Sequence, residues 1–330
     1  MIISALAVVA LLGVVYAGVH VWGMHVLFGI VVPYVAILLF AYGLIKRVMG
    51  WASSPVPFCI PTTCGQQKSL SWIESSYFDN PHTTVGVVGR MLLEVLCFRS
   101  LFRNVQTQVR DGRVAHGSDE WLWIGALAFH WCFLVIVIRH LRFLTEPVPF
   151  FVSFLEQVDG FFQVGLPVFL ASGFIMLGAV TYLFARRLFS PRIRYISLPA
   201  DYFPLFLIMG IACSGILLRH LVRTDVVTVK EIALGLVTLH PAGSGLLAKA
   251  HWLFFVHLTF VSVLIAYFPT SKLMHMAGVL LSPTRNLANN SRMVRHVNPW
   301  NYPVKVHTYE EYEDEFRDKM KDAGLPVEKE

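Results

Sequence analysis

The sequence predicts an all-α integral membrane protein with six transmembrane helices packed as a bundle. Of the 330 residues, 55% are hydrophobic and only 15% are charged, and the mean hydropathy is +0.59. Soluble domains carry about 25% charged residues. Several apolar runs of about 20 residues are each long enough to cross a ~30 Å hydrocarbon layer as a helix. These features exclude a single soluble core, a disordered chain and, despite the pI of 9.1, a nucleic-acid-binding module.

Six apolar stretches define the predicted spans. They are 2–20, 25–46, 121–141, 161–185, 201–222 and 249–269. The first lacks a basic n-region and runs directly into the second, so it is interpreted as a retained helix and not as a cleaved signal peptide. The chain then divides into two N-terminal transmembrane helices (1–46), a cytoplasmic loop (47–120), a four-helix membrane domain (121–284) and a cytoplasmic C-terminal tail (285–330).

The loop and the tail each contain a helical pattern. Segment 85–102 mixes charged residues with leucines, which is typical of a helix that lies along the membrane surface. The tail has acidic residues at 310–315 followed by basic ones, which favours a helix exposed to solvent or to a partner.

Basic residues indicate the orientation in the membrane. Most of the 27 Lys and Arg lie in the loop 47–120, the connection 186–197 and the tail. The connection 186–197 alone has four arginines and no acidic residue. Because basic residues are enriched on the cytoplasmic side, we expect a multi-pass protein of the cell membrane with both termini in the cytoplasm.

Five cysteines, at positions 59, 64, 97, 132 and 213, are an odd number without a CxxC pair. This usage indicates neither a disulfide scaffold nor a complete metal-cluster site. Cys59 and Cys64 alone supply too few thiolates, and Cys97 is the only other cysteine of the loop. We therefore favour docking of a partner at the polar turn 62–67.

Four histidines on two predicted spans are the main functional signal. His130 and His140 lie on the third span, and His257 and His275 lie on and just beyond the sixth. Ionisable groups inside a membrane are costly and usually functional. Spacings of 10 and 18 residues place both histidines of each helix on one side of it. Since the two helices run in opposite directions, we expect His130 to face His275 near the cytoplasm and His140 to face His257 near the outside.

Two facing imidazole pairs in a helical bundle suit two haem irons. The two spacings correspond to rises of about 15 Å and about 27 Å, so the helices must tilt or bend. Pro269 can provide the bend, because proline kinks or ends a helix. Two other readings stay open: a histidine can simply bond to a neighbouring carbonyl, and His220, or less strongly His251, can replace one of the four.

The motifs around these histidines resemble the respiratory nitrate reductase gamma-subunit family. The run from Phe268 to His275, FPTSKLMH, is similar to the FPxS(R/K)LxxH ending of that family's last helix. The spacing of His130 and His140 is similar to that of the family's other ligand helix. More narrowly, RSLFRN at 99–104 and IPTTCGQQ at 60–67 resemble the cytochrome b subunits of the DsrMKJOP complexes of sulfite-reducing organisms and their heterodisulfide reductase relatives.

This resemblance covers most of the chain and implies a function. It implies two b haems held by His130, His140, His257 and His275, with menaquinol as the substrate. It also implies a cytoplasmic iron-sulfur partner of the heterodisulfide-reductase type, together with other membrane and extracytoplasmic subunits. The expected enzymatic role is that of the quinol-oxidising, electron-transferring subunit of a respiratory complex in sulfate or sulfite respiration.

The quinol site is the least transferable feature. The family's quinol-binding lysine, about 20 positions after the outer ligand, has no counterpart here, where the chain reads Asp159-Gly160-Phe161. The candidates are Arg142, Asp159 and His251, which are polar and lie near outer helix ends. Each can instead anchor the membrane interface by snorkelling or ion pairing.

Two alternative functions remain compatible with the sequence. One is the cytochrome b anchor of a hydrogenase or formate dehydrogenase. The other is a haem-free membrane anchor that uses its histidines to handle protons.

Overall fold

A computed structural model describes residues 1–54, 65–102, 106–161, 168–293, 303 and 307–329. The chain is mostly helical. In chain order the helices are α1 (Ile2–Tyr16), α2 (Val32–Ala52), α3 (Thr84–Cys97), α4 (Arg99–Phe102), α5 (Glu120–Leu144), α6 (Phe150–Asp159), α7 (Ala171–Phe189), α8 (Pro191–Ile196), α9 (Pro199–Leu217), α10 (Val226–Val237), α11 (Ser244–Leu247), α12 (Trp252–Tyr267), α13 (His275–Leu281), α14 (Pro283–Asn286) and α15 (Tyr309–Asp322).

Five helices of the described chain are long and apolar enough to cross a membrane. They are Ile2–Val21, Leu27–Ala52, Glu120–Leu144, Pro199–Val222 and Trp252–Thr270. In three of them a wider π turn continues the α-helix: at the end of α1, before α2 and at the end of α9. These five helices correspond to five of the six predicted spans and make the chain a membrane protein.

The sixth predicted span, 161–185, differs from the structure. Helix α7 starts only at Ala171 and has Arg186 and Arg187 in its last turn. Because two guanidinium groups occupy that turn, the apolar part of α7 is shorter than a bilayer core requires without tilt or thinning. Helix α7 is therefore not among the five, and a sixth span stays a prediction.

The loop contains a β-hairpin that the sequence analysis did not predict. Strands β1 (Gln106–Arg110) and β2 (Arg113–Gly117) pair in antiparallel fashion. The two turn residues, Asp111 and Gly112, have φ angles of 53° and 73°. Positive φ at both positions is the geometry of the two-residue turn that matches the twist of paired strands, and an Asp-Gly pair favours it.

The predicted surface helix 85–102 is broken at Phe98, where φ is 51°. Thr83 caps the start of helix α3, because its Oγ1 accepts a hydrogen bond from the Gly86 amide at 3.1 Å. Its exposed side is apolar and includes Val85, Val88 and Leu92. That amphipathic pattern is typical of a helix at a membrane surface.

Two indole groups hold the end of α3 against α5. Trp123 Nε1 donates to the Cys97 carbonyl at 2.7 Å, and Trp131 Nε1 donates to the Leu96 carbonyl at 3.1 Å. The last carbonyls of a helix lack partners within the helix. The two tryptophans supply those partners and thereby place Phe98 beside α5.

Helix α12 ends just before Pro269. A short 3₁₀ turn covers Phe268–Thr270, Ser271 is extended, and α13 begins at His275. Arg47 on α2 donates a hydrogen bond to the Pro269 carbonyl at 3.0 Å. Proline cannot continue the helical hydrogen-bond ladder. His257 and His275 therefore stand on two different helices that are joined by a bend.

The membrane helices form one continuous packing arrangement. Helix α5 packs on α7 and α10, α7 packs on α9, and α12 packs on α2 and α9. Leu207 on α9 and Phe255 and Phe260 on α12 are among the fully buried side chains. A Cβ at Gly210 would lie 2.8 Å from the Phe260 ring, so the missing side chain permits close approach of α9 and α12.

Hydrogen bonds join the predicted loop to the predicted tail. We call the residues that they join the loop–tail junction, which consists of 65–82 and 289–291. Asn289 is 2% exposed. Its backbone amide donates to the Pro81 carbonyl at 2.7 Å, and its Nδ2 donates to Asn80 Oδ1 at 2.6 Å. Gln67 Nε2 donates to Ser291 Oγ at 3.0 Å. Segments more than 200 residues apart thus form one unit.

Replacing Asn289 with alanine should loosen the loop–tail junction. The change leaves the buried Asn80 amide without its partner at this site, which costs about 1–3 kcal/mol. Hydrogen exchange of the purified protein should then be faster in residues 65–82. Asn290→Ala, at the partly exposed neighbouring position, is the matched control, and unchanged exchange in Asn289→Ala would contradict the assignment.

Candidate functional site

The structure brings His130 and His275 together, and we call them the inner pair after their predicted position. Their ring centroids are 5.9 Å apart, and the ring planes are 82° apart. His130 Nδ1 bonds to the Ala126 carbonyl at 2.7 Å, and His275 Nδ1 bonds to the Lys272 carbonyl at 2.8 Å. A carbonyl oxygen only accepts, so Nδ1 carries the proton on each ring and Nε2 is left as a ligand atom.

His140 and His257 form a second pair, the outer pair. Their ring centroids are 6.4 Å apart, and the planes are only 17° apart. His140 Nδ1 bonds to the Ile136 carbonyl at 2.7 Å. His257 Nδ1 lies 2.9 Å from the hydroxyl of Ser214 on α9. In this pair, too, Nδ1 is engaged on both rings and Nε2 is left for a ligand role.

Both pairs fit a haem iron. An iron about 2 Å from one nitrogen of each imidazole separates the ring centroids by roughly 6 Å. Within the described residues no group of three or more His, Cys, Asp or Glu side chains is placed to hold a metal ion. Two imidazoles can supply the two axial ligands of a haem iron, whose remaining ligands belong to the porphyrin.

Aromatic side chains enclose the inner pair. Phe98 and Phe129 meet the His130 ring edge-on, with centroids 4.9 and 5.0 Å away. Next to His275, Lys272 Nζ donates to the carboxylate of Asp201 at 2.6 Å. Arg187 lies 3.9 Å from the same carboxylate, so this buried acid is neutralised from two sides.

Beside the outer pair, Arg139 and Asp159 form a buried ion pair. Arg139 also donates to Ser172 Oγ at 2.9 Å. The Ser172 amide and hydroxyl donate to the two carboxylate oxygens of Asp159 at 2.7 and 2.6 Å. The Asp159 side chain is only 6% exposed. This predicted quinol-site candidate thus connects α5, α6 and α7.

Arg142, the second candidate, forms an ion pair with Glu156. Both side chains remain about one-third exposed. Arg219, on the π turn after α9, donates twice to the Val168 carbonyl at 3.2 Å. With the Arg139–Asp159 pair, three guanidinium groups meet two carboxylates, which favours an anionic group near His140. Sequence reasoning did not assign Glu156 or Arg219 to this site, since both are distant from His140 in the chain.

His251, the third candidate, lies in a different place. Its Nδ1 accepts a hydrogen bond from the Leu253 amide at 3.3 Å, so the side chain caps the start of α12. It lines a pocket of about 200 Å³ together with Arg223 and Lys249. That volume is below the roughly 300 Å³ at which small-molecule sites begin. Of the three candidates, Arg142 and Asp159 both lie beside the outer pair, whereas His251 lies in a separate pocket.

The other residues considered from sequence lie elsewhere. His220, the rival ligand, packs against the rings of Phe169 and Phe174. Cys59, Cys64 and the first half of the turn 62–67 fall outside the described residues. Free thiols are found at Cys97, Cys132 and Cys213.

Gly215→Ala should disturb the outer pair. A Cβ at this position would lie 3.2 Å from His257 Cε1, which is closer than the 3.5–4.0 Å of ordinary carbon contacts. The ring must therefore shift. Disturbing the groups that hold a metal ligand in position typically weakens metal binding by roughly ten- to a hundredfold. Haem content of the purified variant measures the effect. Gly178→Ala on α7 is the control, because its Cβ meets nothing within 4 Å, and equal retention in both variants would refute the crowding argument.

Comparison with known proteins places the chain in a family. Residues 94–296, which include all four histidines, match the family model described as nitrate reductase gamma subunit. The Hdr-like menaquinol oxidoreductase cytochrome b-like subunit of Archaeoglobus fulgidus is 43% identical over 279 residues, which is 83% of each chain. Its counterpart in Archaeoglobus profundus is 44% identical over 272 residues, 81% of each chain.

A more distant match is the respiratory nitrate reductase 1 gamma chain of Escherichia coli. It is 31% identical over 130 residues, which cover 38% of this chain and 56% of the Escherichia coli protein. Because the family model spans more than half of the chain and two relatives align over more than four-fifths of it, the chain belongs to the nitrate reductase gamma subunit family.

Proposed function

We propose that this chain is a dihaem cytochrome b subunit that takes electrons from menaquinol. The observation that carries the proposal is the pairing of four imidazoles at centroid distances of 5.9 and 6.4 Å, each with Nδ1 already engaged. The two archaeal relatives are Hdr-like menaquinol oxidoreductase cytochrome b-like subunits, which supports the same substrate and cofactor.

The membrane arrangement that we propose has six spans, with both termini in the cytoplasm. Helix α7 is the sixth span, tilted or in a locally thinned bilayer, with Arg186 and Arg187 at the cytoplasmic interface. In this orientation the outer pair lies toward the outside and the inner pair toward the cytoplasm. The rise from His130 to His140 along α5 then separates the two levels by about 15 Å.

Menaquinol is proposed to bind near the outer pair. Bound haem supplies one-electron acceptance, and the protein must position the quinol and take up its protons. Of the three candidates, Arg142 is the best placed, because it lies two residues beyond His140 and its ion pair with Glu156 is partly exposed. Asp159 is better suited to holding Arg139 in place, since Arg139 and Ser172 occupy its carboxylate. Proton release to the outside would separate charge across the membrane.

On the cytoplasmic side we propose an iron-sulfur partner of the heterodisulfide-reductase type. The end of α3 is the favoured docking surface, because Phe98 connects it directly to His130 of the inner pair. Helix α15, with acidic residues in its first turn and basic ones in its last, is a second candidate. The RSLFRN and IPTTCGQQ motifs favour a DsrMKJOP-type complex in sulfite respiration, with further membrane and extracytoplasmic subunits.

Optical spectroscopy of the purified protein tests the proposal. We expect a b-type reduced-minus-oxidised spectrum, two haems per chain by extraction, and reduction of the haems by a menaquinol analogue. One haem or three per chain would contradict the two-pair assignment. A protein without a b-type signal would instead fit the haem-free anchor, and two haems without quinol reduction would favour another type of cytochrome b anchor.

Ligand replacement tests the pairing separately. His140→Ala and His257→Ala should each remove the same haem and abolish quinol oxidation, because each deletes one axial ligand of the outer site. His130→Ala and His275→Ala should remove the other haem and leave the outer one reducible by quinol. His220→Ala is the matched control at an outer helix end. Loss of a haem in His220→Ala and not in His257→Ala would show that α12 is misassigned.

A further inference from the structure

One of the four paired imidazoles has a different kind of hydrogen-bond partner from the other three. His130, His140 and His275 each bond through Nδ1 to a backbone carbonyl three or four residues earlier in the chain. His257 is held from another helix: its Nδ1 lies 2.9 Å from the hydroxyl of Ser214 on α9, and the Ile211 carbonyl of the same helix is a second partner of the ring. The inner pair is thus held by main-chain atoms alone, whereas the outer pair depends in part on a side chain.

The direction of this hydrogen bond follows from the other partner of Ser214. Its Oγ also lies 3.0 Å from the Ile211 carbonyl, to which it donates. A serine hydroxyl has one proton and two lone pairs. Because the proton is used on Ile211, the oxygen must accept from His257. The result is a short chain from His257 Nδ1–H through Ser214 Oγ–H to the Ile211 carbonyl.

Packing keeps this contact in place. Ser214 is 4% exposed, so its hydroxyl is shielded from competing water. The adjacent Gly215 lets the backbone of α9 lie directly against the imidazole edge, since a Cβ there would be 3.7 Å from Nδ1 and 3.2 Å from Cε1. The backbone of helix α9 therefore lies in contact with the His257 ring, and the Ser214 hydroxyl reaches the Nδ1 atom.

We infer that Ser214 is a positioning residue that lowers the redox potential of the outer haem independently of the inner one. This inference rests on the proposed function. A hydrogen-bond acceptor at Nδ1 fixes the tautomer and raises the basicity of the ligating Nε2. A more basic ligand stabilises the oxidised iron, so a lower potential results. Loss of the acceptor should favour the reduced haem.

Ser214→Ala in the complete complex tests the inference through a redox titration followed optically and by electron paramagnetic resonance. At a fixed ambient potential the reduced-to-oxidised ratio of the outer haem should rise by roughly two- to tenfold, the effect of about one hydrogen bond. The inner haem should not change. The outer signal is identified as the one that His140→Ala removes.

Two further variants serve as controls. Ser262 is also buried, at 3% exposure, but its hydroxyl bonds to the Leu258 carbonyl at 2.8 Å. Ser262→Ala therefore removes a matched hydroxyl from the same core and should leave both potentials unchanged. Ser214→Thr keeps a hydroxyl and should restore the wild-type potential.

The outcomes separate this inference from the proposed function. Two quinol-reducible haems in the wild type with an unmoved outer potential in Ser214→Ala would overturn the inference alone. An equal shift in Ser262→Ala or in Ser214→Thr would also overturn it, because the hydroxyl would not be the cause. Loss of the outer haem in Ser214→Ala would also overturn it, because Ser214 would then be needed to hold the haem and not to set its potential. A wild type without b haem would overturn the proposed function itself.

Discussion

Each of the four paired imidazoles has its Nδ1 atom on a hydrogen-bond partner, and the geometry of both pairs depends on these contacts. Without water in the hydrocarbon layer, an unpaired polar group costs several kcal/mol. His130 and His140 find their partners on their own helix, in the Ala126 and Ile136 carbonyls. The same bonds fix the ring orientation and leave Nε2 directed away from the helix. One local constraint thus explains both the protonation and the direction of the candidate ligand atoms.

The bend after α12 makes the inner pair possible. A continuous helix would carry His275 about 27 Å beyond His257, whereas His130 and His140 differ by about 15 Å along α5. The chain instead leaves the helix at Pro269, passes through an extended Ser271 and restarts at His275. Arg47 satisfies the Pro269 carbonyl. The proline thereby shortens the path until His275 lies beside His130.

The surroundings of the two pairs differ in charge and in support. The outer pair has the excess of guanidinium groups at the end of α5 and a side-chain hydroxyl as one imidazole acceptor. The inner pair has aromatic neighbours and a lysine whose charge is matched by the buried Asp201. Sites with the same ligands but different electrostatics have different affinities for electrons. Such a difference in electron affinity between the two sites would let electrons pass through the proposed subunit in one direction.

The sequence by itself determined the membrane class, five of the spans and the four histidines worth considering, because hydropathy and helical periodicity are local properties. It also indicated an interruption at Pro269. It missed the break at Phe98, where two indole groups bind the last carbonyls of α3, and the start of α7 at Ala171.

Only the tertiary structure decided which acceptor each imidazole uses and what surrounds the pairs. Ser214 is 43 positions before His257, and Ser172 is 33 after Arg139; neither serine stands out in an apolar helix. His220 was a rival ligand by sequence, yet it packs on phenyl rings. Contacts of this kind depend on how each helix is rotated and how deep it lies. Close packing of the neighbouring helices sets both, and no local sequence pattern encodes them.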